Sequence, residues 1–105
     1  MDIKLRPAEI ADIPQIISIE EVSFSNPWSK VSFLSELVFR GYNYSVVAVD
    51  EVLDEVVGYC FFWLIEDDEI HITNIAVNQN RRQQGIGKGL IEFVVTLARE
   101  HAIPS

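Results

Sequence analysis

The sequence predicts a single α/β domain, and three observations support that fold class. Apolar residues recur at helical spacing in three segments, and runs rich in β-branched and aromatic residues lie between them. The 105 residues are 49% hydrophobic and 23% charged, which is the composition of an ordinary globular protein. A chain of this length forms one small core, so we treat residues 1–105 as one domain.

The charge balance excludes several classes of partner. Eight Lys and Arg against sixteen Asp and Glu give a net charge of -8, which disfavours direct contact with nucleic acid or an anionic membrane. No apolar run reaches about 18 residues, the usual minimum for a membrane span. Residues 1–4 show no signal-peptide pattern, and Cys60 alone cannot form an internal disulfide. These features predict a cytoplasmic protein.

The first half of the chain predicts one strand and two helices. The strand covers Ile3 to Arg6 and stops at Pro7. A helix begins near Ala11, and the segment from Phe24 to Trp28 ends it. The apolar residues of this helix at helical spacing are Ile13, Ile16, Ile17 and Val22.

The second helix has a clear start signal. Ser29 is a suitable N-cap, and Trp28 before it can pack on Phe33 four positions inside, as in a hydrophobic staple. The face predicted to pack in the core consists of Val31, Leu34, Leu37 and Val38.

The second half predicts three strands and a final helix. Strands cover 45–49, 56–65 and 69–77, and acidic turns at 50–55 and 66–69 separate them. We interpret these acids as solvated hairpin turns and predict no metal site there. A loop from Asn78 to Gln84 leads to a helix from Gly85 to about His101, and residues 102–105 form a connector. The helix face predicted to be apolar contains Ile86, Leu90, Phe93 or Val94, and Leu97.

The segment from Asn78 to Leu90 has the features of an anion site. Arg81, Arg82 and Lys88 lie within eight positions that contain no acid, although the chain as a whole is acidic. The N-terminus of a helix attracts phosphate, and glycines allow a ligand to approach the backbone closely. The spacing matches neither a P-loop nor a dinucleotide-binding fingerprint. It is R-x-x-G-x-G, which a purely structural glycine-rich helix start would also explain.

The stretch Arg82-Gln83-Gln84-Gly85-Ile86-Gly87 resembles the Q/R-x-x-G-x-G/A signature of the GNAT superfamily of acetyl-CoA-dependent N-acetyltransferases. Asn74-Ile75-Ala76-Val77 and Phe24…Pro27-Trp28-Ser29 are similar to the RimI type, which acetylates the N-terminal alanine of a ribosomal protein. The predicted order of elements agrees with the first part of that fold across essentially the whole chain. The resemblance implies a mixed, mostly antiparallel sheet flanked by helices, with its C-terminal part absent from this sequence.

The resemblance also implies a cofactor site and a reaction. Acetyl-CoA would be the co-substrate, with its pyrophosphate on the backbone N–H groups of Gln83 through Lys88. The pantetheine arm would pair with Ile75–Val77, where a bulge is expected, and no metal takes part. The implied cofactor-binding residues are Ile75, Ala76, Val77, Arg82, Gln83, Gln84, Gly85, Ile86, Gly87 and Lys88.

The catalytic residues stay unknown at this stage. The resemblance implies a glutamate base on the strand after the glycine-initiated helix and a tyrosine acid further on, and both positions lie past Ser105. On the strand at 69–77, alternation places Glu69, His71 and Thr73 on one face. Because imidazole titrates near neutral pH, His71 is a candidate substitute base, although an ordinary exposed strand residue would look the same.

Two other functions remain open at this stage. One is an acyl-CoA-binding module without turnover, and the other is an interaction domain whose glycine loop is structural. The expected partners are acetyl-CoA and the N-terminus of a protein or peptide, such as a ribosomal protein. Because the strand at 69–77 would lack a neighbour, we also expect self-association or a complementary fragment that supplies the missing strands.

Overall fold

The described strands form one antiparallel sheet, and their order in the sheet follows their order in the chain. A computed structural model of the chain describes residues 2–39, 41–65 and 69–102. The strands are β1 (Ile3–Arg6), β2 (Asn43–Asp50), β3 (Glu55–Ile65) and β4 (Glu69–Val77). The helices are α1 (Ile13–Ser23), α2 (Lys30–Val38) and α3 (Ile86–Ala102), and short 3₁₀ turns cover Ile10–Asp12 and Gln79–Arg81. The predicted α/β class, a mostly antiparallel sheet flanked by helices, is confirmed.

Helices cover both faces of the sheet, which explains why β2 and β3 are almost continuously apolar. Helices α1 and α2 pack on one face and α3 packs on the other. No helix within the described residues is long and apolar enough to span a membrane. The core under α1 and α2 contains Ile13, Ile16, Ile19, Phe33, Val47, Val49, Val56, Tyr59, Phe61 and Ala76. The core under α3 contains Val46, Ala48, Val57, Cys60, Phe62, Ile86, Leu90 and Val94.

The start of α2 confirms the predicted cap and staple. The Ser29 hydroxyl accepts a hydrogen bond from the Ser32 N–H at 3.1 Å. The ring centroids of Trp28 and Phe33 lie 5.2 Å apart. Phe33 also packs edge-on against Tyr59 of β3, so the staple anchors α2 directly to the sheet.

The predicted apolar faces of α1 and α2 were partly wrong. Val31 and Val38 are 70% and 63% exposed, because the buried side of α2 is centred on Phe33 and Leu37 and those two valines lie about a quarter turn or more away. In α1, Val22 is likewise exposed, and the buried residues include Glu20 instead.

Most element boundaries agree with the sequence, and the differences are small. β2 and β3 start earlier than predicted, β4 has the predicted bounds, and α3 extends to Ala102, the first residue of the predicted connector. The acids at 66–68 and the rest of the connector, 103–105, lie outside the described residues.

β4 contains one irregularity, and its position corrects an expectation. The register shifts between Phe61 and Phe62 of β3, so Thr73 is an extra residue in β4. Its hydroxyl donates to the Phe61 carbonyl at 3.1 Å. The bulge expected at Ile75–Val77 is therefore at Thr73, because residues 74–77 keep regular pairing with β3.

β4 is the outer strand of the sheet within the described residues. It pairs with β3 along one edge only. Ile70 and Ile72 are 37% and 43% exposed near this edge. The backbone of Ile75–Val77 therefore has one edge that no described strand covers.

Candidate functional site

The connection from β4 to α3 starts from a turn that is held by the sheet. The Asn78 N–H donates to the Val57 carbonyl of β3 at 2.8 Å, and the Arg81 N–H donates to the Asn78 carbonyl at 2.8 Å. The Asn78 side-chain oxygen accepts from the Asn80 N–H at 3.0 Å. The glycine-rich loop thus leaves from a fixed point beside β3.

Gly58 of β3 sets how closely α3 approaches the sheet. A Cβ at this position would lie 3.2 Å from Ile86 Cγ2 and 3.4 Å from Leu90 Cδ1. A side chain there would push the first turns of α3 outward. Sequence reasoning missed this residue, although an isolated glycine inside an apolar strand is a signal of close approach.

The loop before α3 adopts two left-handed backbone conformations. Gln83 has φ of 66° and Gly85 has φ of 82°. The Gly85 carbonyl accepts the first helical hydrogen bond, from the Gly89 N–H at 3.0 Å. A Cβ on Gly85 would meet no protein atom within 4 Å, so the space beside it is open. The N–H groups of the first turn have no partner within a helix and carry the positive end of its dipole.

The end of β4 and the start of α3 share one cavity of about 440 Å³. It brings together all the cofactor-binding residues predicted from the sequence except Gln84. Gln84 lines a separate cavity of about 210 Å³ with Ile3 and Leu5. Arg81 was predicted as part of the basic segment but not as a cofactor-binding residue, and it lines the larger cavity. The lining residues are Ile75, Ala76, Val77, Arg81, Arg82, Gln83, Gly85, Ile86, Gly87 and Lys88.

The three basic residues of the loop and the start of α3 differ in whether an acidic side chain pairs with them. The Arg81 guanidinium contacts the Asp50 carboxylate at 2.7 Å. Lys88 is largely exposed, and its Nζ lies 3.9 Å from a Glu92 oxygen. Arg82 is exposed and forms no ion pair with the residues that the structure describes. Arg82 and the first turn of α3 are therefore the main source of uncompensated positive charge at the cavity.

A buried carboxylate lies behind β4, on the face covered by α1. Glu20 is 1% exposed. Its Oε2 accepts from the Trp28 N–H at 2.8 Å, and its Oε1 accepts from Asn74 Nδ2 at 2.9 Å and from the Tyr59 hydroxyl at 2.5 Å. One side chain of α1 thereby holds the α1–α2 connection, β3 and β4 together.

The bulge and the protonation of Tyr59 make this network possible. Thr73 lines a groove beside Trp28, and Asn74 reaches Glu20, so two consecutive residues of β4 point to the same face. Burial raises the pKa of Tyr59 above its usual value, and the hydrogen bond to Glu20 raises it further. Tyr59 therefore stays protonated at neutral pH, and its hydroxyl donates a hydrogen bond to the carboxylate.

His71 lies on β4 before the bulge and does not line the cavity. Its ring Nε2 is 3.0 Å from a Glu69 carboxylate oxygen, and about half of its side chain is exposed. Its partner across the strands is Trp63. The contact with Glu69 agrees with the predicted shared face, and the role of His71 as a substitute base stays a hypothesis.

The described residues contain no group of three or more His, Cys, Asp or Glu side chains that could hold a metal ion. The groups that border the cavity are backbone donors, a helix N-terminus and exposed cations. These groups suit an anionic ligand that lies along β4 and ends at α3.

Comparisons with known proteins agree with this arrangement. The sequence profile of the acetyltransferase (GNAT) family matches residues 13–105. A protein of Bacillus subtilis (strain 168), provisionally named a ribosomal protein bS18-alanine N-acetyltransferase, is 37% identical over 97 residues. That match covers 91% of this chain and 62% of the relative, so the chain spans less than two thirds of the relative's length.

Solved structures show the same fold at lower identity. The ribosomal-protein-S18-alanine N-acetyltransferase from Escherichia coli superposes with a TM-score of 0.84 at 20% identity, covering 97% of this chain and 63% of its own. Ard1 from Thermoplasma volcanium also gives 0.84, at 21% identity, with 98% and 68% covered. NAA60 from Arabidopsis thaliana, in complex with acetyl-CoA, gives 0.77 at 22% identity, with 94% and 69% covered.

Replacing Glu20 with Gln tests the buried network. The amide has one acceptor oxygen where the carboxylate has two, so at least one buried donor must reorganise or lose its partner. We expect Glu20→Gln to lower the free energy of unfolding by about 1–3 kcal/mol, measured in urea. The matched control is Glu21→Gln, an exposed neighbour that loses the same charge and should change stability little. Equal stability losses in the two variants would contradict the network.

Proposed function

The chain belongs to the GNAT family of acetyltransferases, and on that premise we propose that it supplies the cofactor-binding half of an N-acetyltransferase. The proposed reaction transfers the acetyl group of acetyl-CoA to the N-terminal amine of a protein. The observation that carries the proposal is the cavity shared by β4 and the start of α3. Its uncompensated charge is positive, although the chain has a net charge of -8.

Three parts of acetyl-CoA would meet suitable features of β4 and the start of α3. The pyrophosphate suits the N–H groups at Gln83–Lys88, where the helix dipole and Arg82 add positive charge. The amide groups of the pantetheine arm suit the uncovered edge of Ile75–Val77, where they would pair as another strand does. The thioester would then lie toward the bulge at Thr73, and a backbone N–H there would polarise its carbonyl.

The reaction forms one bond and breaks one. The neutral substrate amine attacks the thioester carbonyl carbon, the carbon–sulfur bond breaks, and the CoA thiolate accepts a proton from a general acid. The amine loses its extra proton to a general base. In this proposal the described residues bind and orient the cofactor, and the base and the acid are supplied by other residues.

We propose a ribosomal protein with an N-terminal alanine as the acceptor, on the basis of the name of the Bacillus subtilis relative. A groove of about 400 Å³ on the α2 face of β4 adjoins the bulge. Trp28, Trp63 and Thr73 line this groove, and Glu36 gives it a carboxylate. Such a lining suits a short peptide with a basic or amine group. A cytoplasmic location follows from this proposal.

The second candidate is an acyl-CoA-binding module without turnover. The observation that favours it is the location of the described site residues, which would all hold the cofactor rather than move protons. Binding of CoA together with absent transfer to an Ala-initiated peptide would favour this candidate. Absence of CoA binding would instead favour an interaction domain.

Gly85→Val tests the cofactor site. The valine would occupy the open space beside the helix N-terminus and would disfavour the φ of 82° that the loop requires. We expect CoA binding, measured by calorimetry, to fall below detection. Gly89→Ala is the matched control, since a Cβ there also meets no protein atom within 4 Å and alanine favours a helix. Unchanged affinity in Gly85→Val would rule out this site.

A transfer assay tests whether this chain binds the cofactor without supplying the acid and the base. Acid and base groups contribute typically about 10²–10⁴-fold each, so we expect this chain to acetylate an Ala-initiated peptide at least about 10²-fold more slowly than the Escherichia coli enzyme. Comparable turnover would contradict the proposal. His71→Ala would then show whether His71 acts as the base.

The uncovered edge of β4 leads us to propose self-association or binding of a complementary fragment. Ile70 and Ile72 lie near this edge, and the acidic charge opposes aggregation without covering it. We expect the sedimentation coefficient to rise with concentration. A single monomeric species across the whole dilution series would show that the edge is protected.

A further inference from the structure

Asp50 links two turns that are far apart in the sequence. It is the last residue of β2, and it is 7% exposed. Its Oδ1 accepts from the N–H groups of Val52 and Leu53 at 2.9 and 3.2 Å, which closes the turn into β3. Its Oδ2 accepts from Arg81 Nη2 at 2.7 Å. The carboxylate therefore caps its own turn with one oxygen and holds the turn before α3 with the other.

The environment of this pair favours a lasting contact. The side chains of Asp50 and Arg81 are 10% and 19% exposed, so water competes little for them. The hydrogen bond from Arg81 and those from the backbone hold the pKa of Asp50 below its usual value. The carboxylate is ionised at neutral pH, where the pair is fully formed.

Arg81 lies just before the loop that needs support. Two residues later, Gln83 has a φ of 66°, a backbone angle that residues other than glycine rarely adopt. Such a conformation persists only where neighbouring structure holds it. Arg81 contributes both its backbone, through the Asn78 carbonyl, and its guanidinium, through Asp50.

We propose that Asp50 and Arg81 are positioning residues for the cofactor loop. In this account Arg81 lines the cavity but is neutralised by Asp50, and it holds the loop of Gln83 and Gly85 in the shape that receives the pyrophosphate. Arg82 supplies the charge that contacts the ligand. The inference rests on the proposed CoA site and adds residues that the family signature does not contain.

A different role for the pair predicts the opposite sign. If Asp50 only withheld Arg81 from the phosphates, freeing Arg81 would strengthen CoA binding and steepen its dependence on salt. If Asp50 holds the loop in shape, breaking the pair weakens binding even though the freed charge of Arg81 steepens the salt dependence. The direction of the change therefore separates the two roles.

Asp50→Asn is the appropriate variant. The asparagine oxygen can still cap the turn at Val52 and Leu53, while its amide group faces Arg81 as donor against donor. We expect CoA affinity to fall roughly three- to tenfold, the size of effect that loss of preorganisation gives. The control is Glu51→Gln, an exposed neighbour with the same charge change, which should bind as the wild type does.

Arg81→Gln provides a second route to the same result. Because the two residues act as one contact, Arg81→Gln should also weaken CoA binding, and the losses in the double variant should be less than additive. Arg82→Gln should instead lower both the affinity and the salt slope. Tighter binding in Asp50→Asn, unchanged binding, or additive losses would overturn the proposal.

Hydrogen exchange of the ligand-free protein separates this inference from the proposed function. We expect the hydrogen-bonded amides of residues 78, 81 and 89 to exchange faster in Asp50→Asn than in Glu51→Gln, whether or not the protein binds CoA. Absence of CoA binding by the wild type would refute the proposed function alone. Equal exchange in the two variants would refute the positioning role.

Discussion

The hydrogen bonds accepted by the buried Glu20 carboxylate are the interaction on which the arrangement of the other elements depends. It forms no ion pair with any described residue, and its charge is stabilised by donors from the α1–α2 connection, β3 and β4. A buried charge is tolerated only when such donors are all in place. The bulge at Thr73 is what brings Asn74 to the carboxylate, so the same contact sets the course of β4 into the cavity.

The two faces of the sheet carry different structural features. The face under α1 and α2 holds the Glu20 network and the groove at Trp28, whereas the face under α3 carries the close approach at Gly58. β4 belongs to both, because its side chains reach the network and its uncovered edge borders the cavity. The Glu20 network on the α1 and α2 face holds β4 in position. A ligand that pairs with the uncovered edge would therefore bind a strand that is already fixed.

The features that the sequence predicted correctly are those that local residue patterns determine. Residues a few positions apart determine the bounds of β4, the staple at Trp28 and the glycine-rich start of α3. Glu20 could not be predicted, because in the sequence it resembles its exposed neighbour Glu21, and its partners Tyr59 and Asn74 lie 39 and 54 residues away. The bulge and the pairing of Asp50 with Arg81 likewise arise only when strands pair.

The most direct test of the proposed site is nuclear magnetic resonance of the ¹⁵N-labelled chain during titration with CoA. We expect the largest amide shifts at 75–77 and 83–88, where the strand edge and the helix N-terminus border one cavity. Smaller shifts should extend through Asn74 to Tyr59. Largest shifts at the groove beside Trp28, or no shifts at 75–77 and 83–88 at saturating CoA, would show that CoA does not bind at this cavity.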